Sequence, residues 1–198
     1  MIAIIDYGVG NLASVKKTLD HLSQATVVTA SPAVVRQASK LILPGVGHFG
    51  ATTALTELGL RDAIFEAIGR GVPFLGICVG MQWMFENSAE APLVAGLGIF
   101  AGSCDYFSPG MKSPHVGWNT LQVKRPSALL QNVSTGDFVY YSHSYRAPVG
   151  DHTVASTEYG EHFAAIVERD NAFGVQFHPE KSGKAGLQIL DSFCRLGC

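Results

Sequence analysis

Charge is scarce in this sequence, and positive charge is not in excess. Only 15% of the 198 residues are Asp, Glu, Lys or Arg, and the formal net charge at pH 7 is -2. Because globular proteins carry about a quarter of such residues, less of this surface is charged than usual. Without a basic excess the chain lacks the electrostatic footprint of a nucleic-acid-binding protein, and we expect no nucleic-acid partner.

Long apolar runs and an export signal are missing as well. The apolar start at 1–5 has no basic region before it and ends at Asp6, which does not fit a signal peptide. No stretch approaches the roughly 20 apolar residues that span a bilayer. We therefore expect no membrane contact and a cytoplasmic location.

Cysteine is sparse and not clustered. The 4 cysteines lack the close pair spacing of zinc sites, so we expect no metal. Without an export signal, reduced thiols are the default. A chain of 198 residues with 47% hydrophobic residues suits one globular core, and we predict a single domain over 1–198.

Two glycine motifs look like dinucleotide-binding fingerprints. Gly8–Ala13 and Gly45–Gly50 each follow a predicted strand. Such a fingerprint needs an acidic residue about 20 positions on, at the end of the next strand, to hold the ribose. The first motif has none there, and Glu66 after the second falls within a predicted helix. We therefore expect tight turns at the ligand-binding edge of a parallel sheet, and no cofactor.

Short apolar strands alternate with helices in the first half of the chain, which predicts a parallel sheet covered on both faces. Glycine, proline, aromatic and β-branched residues dominate from about residue 97 on, which predicts a mixed or antiparallel addition to that sheet. Strands are predicted at 2–6, 26–29, 40–43, 72–75, 96–100, 116–123, 137–141, 153–156, 163–168 and 172–177, and helices at 11–22, from 31 on, near 48–57, 60–70 and 184–195. The predicted fold class is three-layer α/β.

The stretch Gly76–Gln82 predicts a nucleophile elbow. It lies between a predicted strand and a helix predicted to start at 81–86, and Gly-x-Cys-x-Gly is the cysteine form of that motif. Gly76 and Gly80 let neighbouring backbones approach, which leaves Cys78 at the sheet edge beside a helix N-terminus. There the helix dipole favours a thiolate. A buried cysteine in a glycine-rich turn is the alternative.

A cysteine nucleophile for acyl transfer needs a general base. Of the 7 histidines, His178 is the best candidate because Pro179 after it favours an extended conformation. Residues 178 and 180 then point the same way, and Glu180 orients the imidazole toward Cys78. The sequence predicts a Cys–His–Glu triad; a solvated strand end is the alternative.

The oxyanion donors are expected to be backbone amides. The amide of Val79, directly after the nucleophile, is one. The other comes from the turn after the third strand, where the amides of Val46 and Gly47 are equal candidates.

Together these motifs resemble the class I, or triad, glutamine amidotransferases. The elbow Gly-Ile-Cys-Val-Gly-Met-Gln and the later Phe-His-Pro-Glu carry the resemblance. Within that class, residues 6–12, 43–49, 115–119 and 141–145 resemble the glutaminase subunits of imidazole glycerol phosphate synthases. The motifs are spread over nearly the whole chain. The resemblance implies a flavodoxin-like architecture with a largely parallel central sheet extended by antiparallel strands.

The resemblance also implies a reaction and a substrate pocket. Cys78 attacks the side-chain amide of L-glutamine, ammonia leaves, and a cysteinyl thioester is hydrolysed to glutamate. A carboxylate such as Glu90 suits the substrate ammonium, although an exposed helix-end charge is the alternative. The residues implied to line the pocket are Gly47, Gln82, Glu90, Ser144 and Tyr145.

A partner protein follows from the same resemblance. It implies a heterodimer with a (β/α)8-barrel cyclase subunit, which uses the ammonia to make imidazole glycerol phosphate in histidine biosynthesis. The implied interface residues are Asn11, Trp118, Tyr140 and Lys181. Because Val46 has a Cβ, turning its peptide is harder than for glycine, and we hypothesise that partner binding completes the oxyanion hole.

Three other functions compete with this one. The first is a glutaminase that serves another acceptor pathway, such as pyridoxal phosphate, GMP or anthranilate synthesis, against which the motifs at 6–12 and 43–49 argue. The second is a cysteine hydrolase or stress protein with a similar elbow, which the pair His178 and Glu180 disfavours. The third is a non-catalytic regulatory module, which a complete triad disfavours.

Overall fold

Strands outnumber helices in the computed structural model, which describes residues 1–197. The strands are β1 (Ile2–Ile5), β2 (Thr26–Thr29), β3 (Lys40–Gly45), β4 (Phe74–Cys78), β5 (Phe85–Ser88), β6 (Phe100–Tyr106), β7 (His115–Thr120), β8 (Gln122–Val123), β9 (Phe138–His143), β10 (Tyr145–Arg146), β11 (Thr153–Tyr159), β12 (Glu161–Arg169) and β13 (Ala172–Val175). The α-helices are α1 (Leu12–His21), α2 (Pro32–Gln37), α3 (Thr53–Glu57), α4 (Leu60–Gly69), α5 (Val79–Gln82) and α6 (Gly183–Arg195). Short 3-10 turns lie at Phe49–Thr52, Ala128–Leu130 and Pro179–Lys181.

The central sheet has eight strands in the order β2-β1-β3-β4-β13-β12-β11-β8. The first five strands in this order, β2, β1, β3, β4 and β13, pair in parallel. The remaining three, β12, β11 and β8, add antiparallel pairings. The predicted parallel sheet with an antiparallel extension is therefore confirmed. No helix within residues 1–197 is long and apolar enough to cross a membrane.

Two hydrophobic cores cover the two faces of this sheet. On β1, Ile2 and Ile4 pack into the core with α1 and α6, whereas Ala3 and Ile5 pack into the core with α2 and α4. All four side chains are buried, as the two-residue period of a strand between two layers requires. This arrangement confirms the predicted three-layer α/β class.

The prediction of a helix at 81–86 is wrong. Helix α5 is a single turn that ends at Gln82, and β5 begins at Phe85. The carbonyl groups at 83–86 accept hydrogen bonds from backbone amides at 96–100, so a longer helix would have to give up those bonds. The sulfur at the elbow therefore has only one helical turn behind it, and the predicted contribution of a helix dipole is correspondingly reduced.

The third strand also differs from its prediction, because it continues through Pro44 to Gly45. Its pairing with β1 ends at Ile42, so that Pro44 has a paired neighbour only on β4, where it lies opposite Ile77. A proline is tolerated at such a position because its missing N–H interrupts no ladder to β1. The longer strand carries the following turn up to the elbow.

The strands predicted at 116–123 and 137–141 do not all extend the central sheet. Strands β7 and β9 pair with each other as an antiparallel ribbon, with Trp118 opposite Tyr140. Tyr141 on the inner side of this ribbon packs against Phe163 of β12, with ring centroids 5.5 Å apart. The ribbon therefore covers a face of the sheet. Similarly, the strand predicted at 96–100 begins only at Phe100.

Candidate active site

The elbow holds Cys78 in an unusual backbone conformation at the end of β4. Its φ is 54° and its ψ is -111°, in the positive-φ range that residues with a Cβ rarely adopt. A Cβ added to Gly76 would lie 2.5 Å from the carbonyl oxygen of Gly80, and one added to Gly80 would collide with the carbonyl of Leu43. Because glycine allows these close approaches, the backbone packing fixes the sulfur at the carboxyl edge of the sheet.

His178 connects the elbow to a buried carboxylate. Its Nδ1 lies 3.0 Å from Oε1 of Glu180, and the imidazole borders the same cavity as Cys78, whose interaction with the ring raises the pKa of His178. The two strands that lead to these residues, β4 and β13, are parallel neighbours. His178 is extended as predicted, but Pro179 opens a 3-10 turn, so the turn, and not a continued strand, brings the carboxylate back to the imidazole.

The electrostatic environment keeps His178 charged at neutral pH. Burial alone would lower the pKa of its imidazole, but the hydrogen bonds to Cys78 and Glu180 and the attraction of their charges together raise the pKa to about 10. A protonated imidazole beside the sulfur is the setting in which cysteine acts as a nucleophile.

Asn11 has a contact that the sequence did not indicate. This residue precedes α1, and its Nδ2 lies 3.3 Å from Oε1 of Glu180. The other carboxylate oxygen, Oε2, is buried and has no hydrogen-bond partner among residues 1–197. A residue predicted for the partner interface therefore also orients the third member of the candidate triad.

The backbone of His178 is fixed to strand β9. Its N–H donates to the carbonyl of Tyr140 at 2.9 Å, and its carbonyl accepts from the hydroxyl of Ser182 at 2.6 Å. The same hydroxyl accepts from the N–H of Tyr140 at 2.9 Å. This closed set of bonds holds the candidate base at a constant distance from the ribbon.

Three of the four predicted interface residues form a surface cluster, which we call the aromatic patch. Trp118 and Tyr140 have ring centroids 5.9 Å apart, and Nζ of Lys181 lies 5.9 Å from the centroid of Tyr140. Trp118 is 55% exposed, and Phe138 beside it on the ribbon is 58% exposed. Large exposed aromatic side chains grouped in this way are typical of a protein interface.

A cavity of about 380 Å³ opens beside the candidate triad. Cys78 and His178 border it, and so do Val46 and Val79 of the predicted oxyanion hole. All five residues predicted to contact glutamine lie along its wall: Gly47, Gln82, Glu90, Ser144 and Tyr145. The structure thus brings together side chains that are up to about 130 positions apart in the sequence.

Glu90 is not an exposed charge at the end of a helix. It lies in a turn and is half-buried, and its Oε2 accepts a hydrogen bond of 2.7 Å from the N–H of Phe49. The carboxylate therefore holds the segment that follows the predicted oxyanion turn while it borders the cavity. Its charge contributes to the raised pKa of Tyr145, after burial as the larger cause.

Two glutamine side chains link the pocket wall to the sulfur. Nε2 of Gln82 donates to the carbonyl of Tyr145 at 2.8 Å and to Oε1 of Gln176 at 3.1 Å. Gln176 in turn donates through its Nε2 to Sγ of Cys78 at 3.7 Å. Sequence reasoning missed Gln176, although a polar residue in an apolar stretch just before Phe-His-Pro-Glu was an available signal.

Comparison with known proteins places this geometry in a family. The chain matches the family model described as "Glutamine amidotransferase class-I" over residues 3–195. Imidazole glycerol phosphate synthase subunit HisH of Moorella thermoacetica is 46% identical, over 98% of this chain and 94% of the relative. The proteins of the same name from Aquifex aeolicus and Thermococcus kodakarensis are 46% and 44% identical, over 97% and 99% of this chain and 95% and 100% of those relatives.

Solved structures show the same fold at low sequence identity. One described as a glutamine amidotransferase has a TM-score of 0.76 at 16% identity and covers 98% of this chain and 100% of that chain. The structure of PurLQS from Thermotoga maritima has a TM-score of 0.75 at 19% identity, over 98% and 96% of the two chains.

The chain therefore belongs to the class I glutamine amidotransferases. Within that family it stands with the HisH subunits of imidazole glycerol phosphate synthase, at 41% to 46% identity over nearly its full length. The family, the enzyme class and the glutaminase function in histidine biosynthesis that the motifs predicted are thereby confirmed.

Proposed function

We propose that this chain hydrolyses L-glutamine with a Cys78–His178–Glu180 triad and delivers the ammonia to a (β/α)8-barrel cyclase subunit in a heterodimer located in the cytoplasm. One observation carries the proposal: the imidazole that hydrogen-bonds Glu180 lies with Cys78 at the wall of a cavity bordered by all five candidate glutamine contacts. A buried cysteine without a function would need neither a charged base nor a cavity.

The reaction begins with the thiolate of Cys78, which forms a bond to the side-chain amide carbon of glutamine. The imidazolium of His178 gives its proton to the amide nitrogen, the C–N bond breaks, and ammonia leaves. A glutamyl thioester remains on the sulfur. The now neutral His178 takes a proton from water, the hydroxide attacks the thioester, and the C–S bond breaks to release glutamate and the starting thiolate.

The oxyanion of each tetrahedral intermediate needs donors beside the sulfur. Pairing of β3 with β4 places Gly45 opposite Cys78, so the turn that follows β3 lies next to the elbow. The amide of Val79 supplies one donor, and the amide of Val46 or Gly47 supplies the other. Gly47 in this turn has a φ of 85°, a conformation that glycine adopts without the steric cost of a Cβ.

The remaining candidate contacts suit the rest of the substrate. Glu90 places a carboxylate where the α-ammonium group of glutamine needs one, and Ser144 and Tyr145 form the facing wall. The aromatic patch is the surface on which we place the partner, because it is the exposed side of the strand that holds the backbone of His178. A partner seated there would act on the base through Tyr140.

The test is an ammonia-release assay on the purified chain, alone and with a (β/α)8-barrel cyclase subunit and its acceptor substrate. We expect release that is strongly increased by the partner and abolished by Cys78→Ala. Cys194→Ala, which removes a thiol of α6 that does not border the cavity, is the matched control and should retain activity. No release under any condition would overturn the proposal, and stimulation by a synthase of another pathway would overturn the assignment of the partner.

A further inference from the structure

Two buried histidines near the cavity have no part in the reaction described above. His115 on β7 and His143 on β9 lie opposite each other in the register of the ribbon. They are only 3% and 6% exposed, and His143 also borders the cavity. Buried imidazoles are rarely left without a defined hydrogen-bonding state.

The hydrogen bonds fix which ring nitrogen of each histidine carries the proton. Nδ1 of His143 lies 2.9 Å from the carbonyl oxygen of Tyr145, and because a carbonyl only accepts, this nitrogen carries the hydrogen. In the neutral ring Nε2 is then an acceptor, and it lies 3.2 Å from Nδ1 of His115. His115 therefore also carries its hydrogen on Nδ1.

The other end of this series of hydrogen bonds is the side-chain amide of Asn119, whose orientation is fixed by its own two partners. Oδ1 of Asn119 accepts from the N–H of Thr120 at 2.8 Å, and its Nδ2 donates to the carbonyl of Glu158 at 2.9 Å. The same Nδ2 lies 3.4 Å from Nε2 of His115, which must accept. Every donor from Asn119 to the Tyr145 carbonyl thus points in one direction.

Both rings are neutral in this arrangement. An added proton on Nε2 of His143 would face the N–H of His115. Burial is the main cause that lowers the pKa of His143 to about 3, with smaller contributions from the nearby His115 and His178. Burial also lowers the pKa of His115 to about 4.

The series of hydrogen bonds ends on the Tyr145 carbonyl, and Tyr145 belongs to the wall of the cavity that we assign to the substrate. The Tyr145 carbonyl receives two donors, Nδ1 of His143 and Nε2 of Gln82. Two donors from different directions fix the plane of the peptide after Tyr145. The orientation of this peptide sets ψ of Tyr145, and Tyr145 borders the cavity together with the preceding Ser144.

We propose that His143 is a positioning residue for glutamine binding: held by His115 and Asn119, it fixes the Tyr145 carbonyl and thereby the wall formed by Ser144 and Tyr145. The inference rests on the proposed function, since it assigns that wall to glutamine. His115 and His143 do not relay protons, because their series of hydrogen bonds ends on the Tyr145 carbonyl, which has no proton to give.

Kinetics with a matched pair of substitutions tests the role. His143→Asn keeps an amide donor near the position of Nδ1, whereas His143→Leu has nearly the same shape and no donor. In complex with the partner we expect the leucine variant to raise KM for glutamine about tenfold, the effect of one lost hydrogen bond, with kcat changed far less. The asparagine variant should restore KM to within about threefold of the wild type. A KM in the leucine variant equal to that of the wild type would overturn the proposal.

A second measurement does not depend on activity. In ¹⁵N-histidine-labelled protein, NMR should show His143 and His115 as neutral rings with the hydrogen on Nδ1 from pH 6 to pH 8, although the Nε2–H form is the one preferred in water. An Nε2–H form or an imidazolium in this range would overturn the inference. Since this readout needs no turnover, it separates a failure of the positioning role from a failure of the proposed glutaminase. Should the leucine variant not fold, His143→Gln, whose amide reaches toward His115 and away from Tyr145, replaces it and should raise KM.

Discussion

Asn11 and His178 bind the same oxygen of Glu180. Nδ2 of Asn11 lies 3.3 Å from Oε1, and Nδ1 of His178 lies 3.0 Å from it. Because Oε2 has no hydrogen-bond partner within residues 1–197, these two bonds define the orientation of the carboxylate. The start of α1 and the candidate triad are therefore connected through hydrogen bonds.

Replacement of Asn11 by alanine is expected to lower kcat of the isolated chain and of the complex alike, by about tenfold, as expected for a lost hydrogen bond to a charged group. The measurement is glutamine hydrolysis with and without the partner. Asn87→Ala, at an exposed position of β5, is the control. A loss of activity seen only in the complex would show that Asn11 acts through the interface and not through Glu180.

Gln176→Leu is expected to slow the alkylation of Cys78 by iodoacetamide at pH 7, by about three- to tenfold. The substitution removes the donor that faces Sγ at 3.7 Å, and loss of a hydrogen bond to a thiolate destabilises the reactive form of the sulfur. The measurement is the second-order rate constant of alkylation at pH 7. Gln131→Leu on the exposed surface should leave this rate constant unchanged, and an unchanged rate constant in Gln176→Leu would exclude the role.

The sequence was most informative where function depends on local spacing. The elbow is contained in seven consecutive residues, and His178 and Glu180 are two positions apart, so turn chemistry and the proline rule indicate them directly. Alternating strands and helices likewise predicted the parallel part of the sheet, which has short connections and a repeated pattern.

Features that depend on distant contacts were not predictable in this way. The helix expected at 81–86 ends early because the carbonyl groups at 83–86 accept hydrogen bonds from amides at 96–100. The sequence of 81–86 contains no signal for these distant partners. Gln176 and His143 have their roles because of partners on other strands. A single sequence gives the residue types of such a network, but not which of them meet.

The glycines at the elbow give a prediction for stability. Gly80→Ala is expected to destabilise the fold by about 3 kcal/mol or more, because its Cβ would collide with the carbonyl of Leu43 and backbone cannot yield as a flexible side chain does. Gly69→Ala is the control: it lies at the end of α4 in open space, and alanine there should be neutral or stabilising by about 0.5–1 kcal/mol. Urea unfolding of both variants measures the difference. Equal stability of the two variants would show that the backbone at Gly80 can move away from the carbonyl of Leu43 at little cost.

The buried histidine pair predicts how stability changes with pH. An unfolded histidine has a pKa of about 6.5, whereas the folded values for His143 and His115 are lowered to about 3 and about 4. Below pH 6.5 the unfolded chain therefore binds more protons than the folded chain, and folding weakens as the pH falls, by up to about 1.4 kcal/mol per pH unit for each group.

His178 acts in the opposite sense, because its folded pKa is raised to about 10. The stability that it adds is fully present below pH 6.5 and is lost as the pH rises from there through the folded pKa of about 10. Urea unfolding of the wild type and of His143→Asn at pH 7, 6 and 5 separates these contributions, because asparagine does not titrate. The variant should lose stability less steeply between pH 6.5 and pH 5, and parallel slopes for the two proteins would mean that His143 is not neutral in the fold.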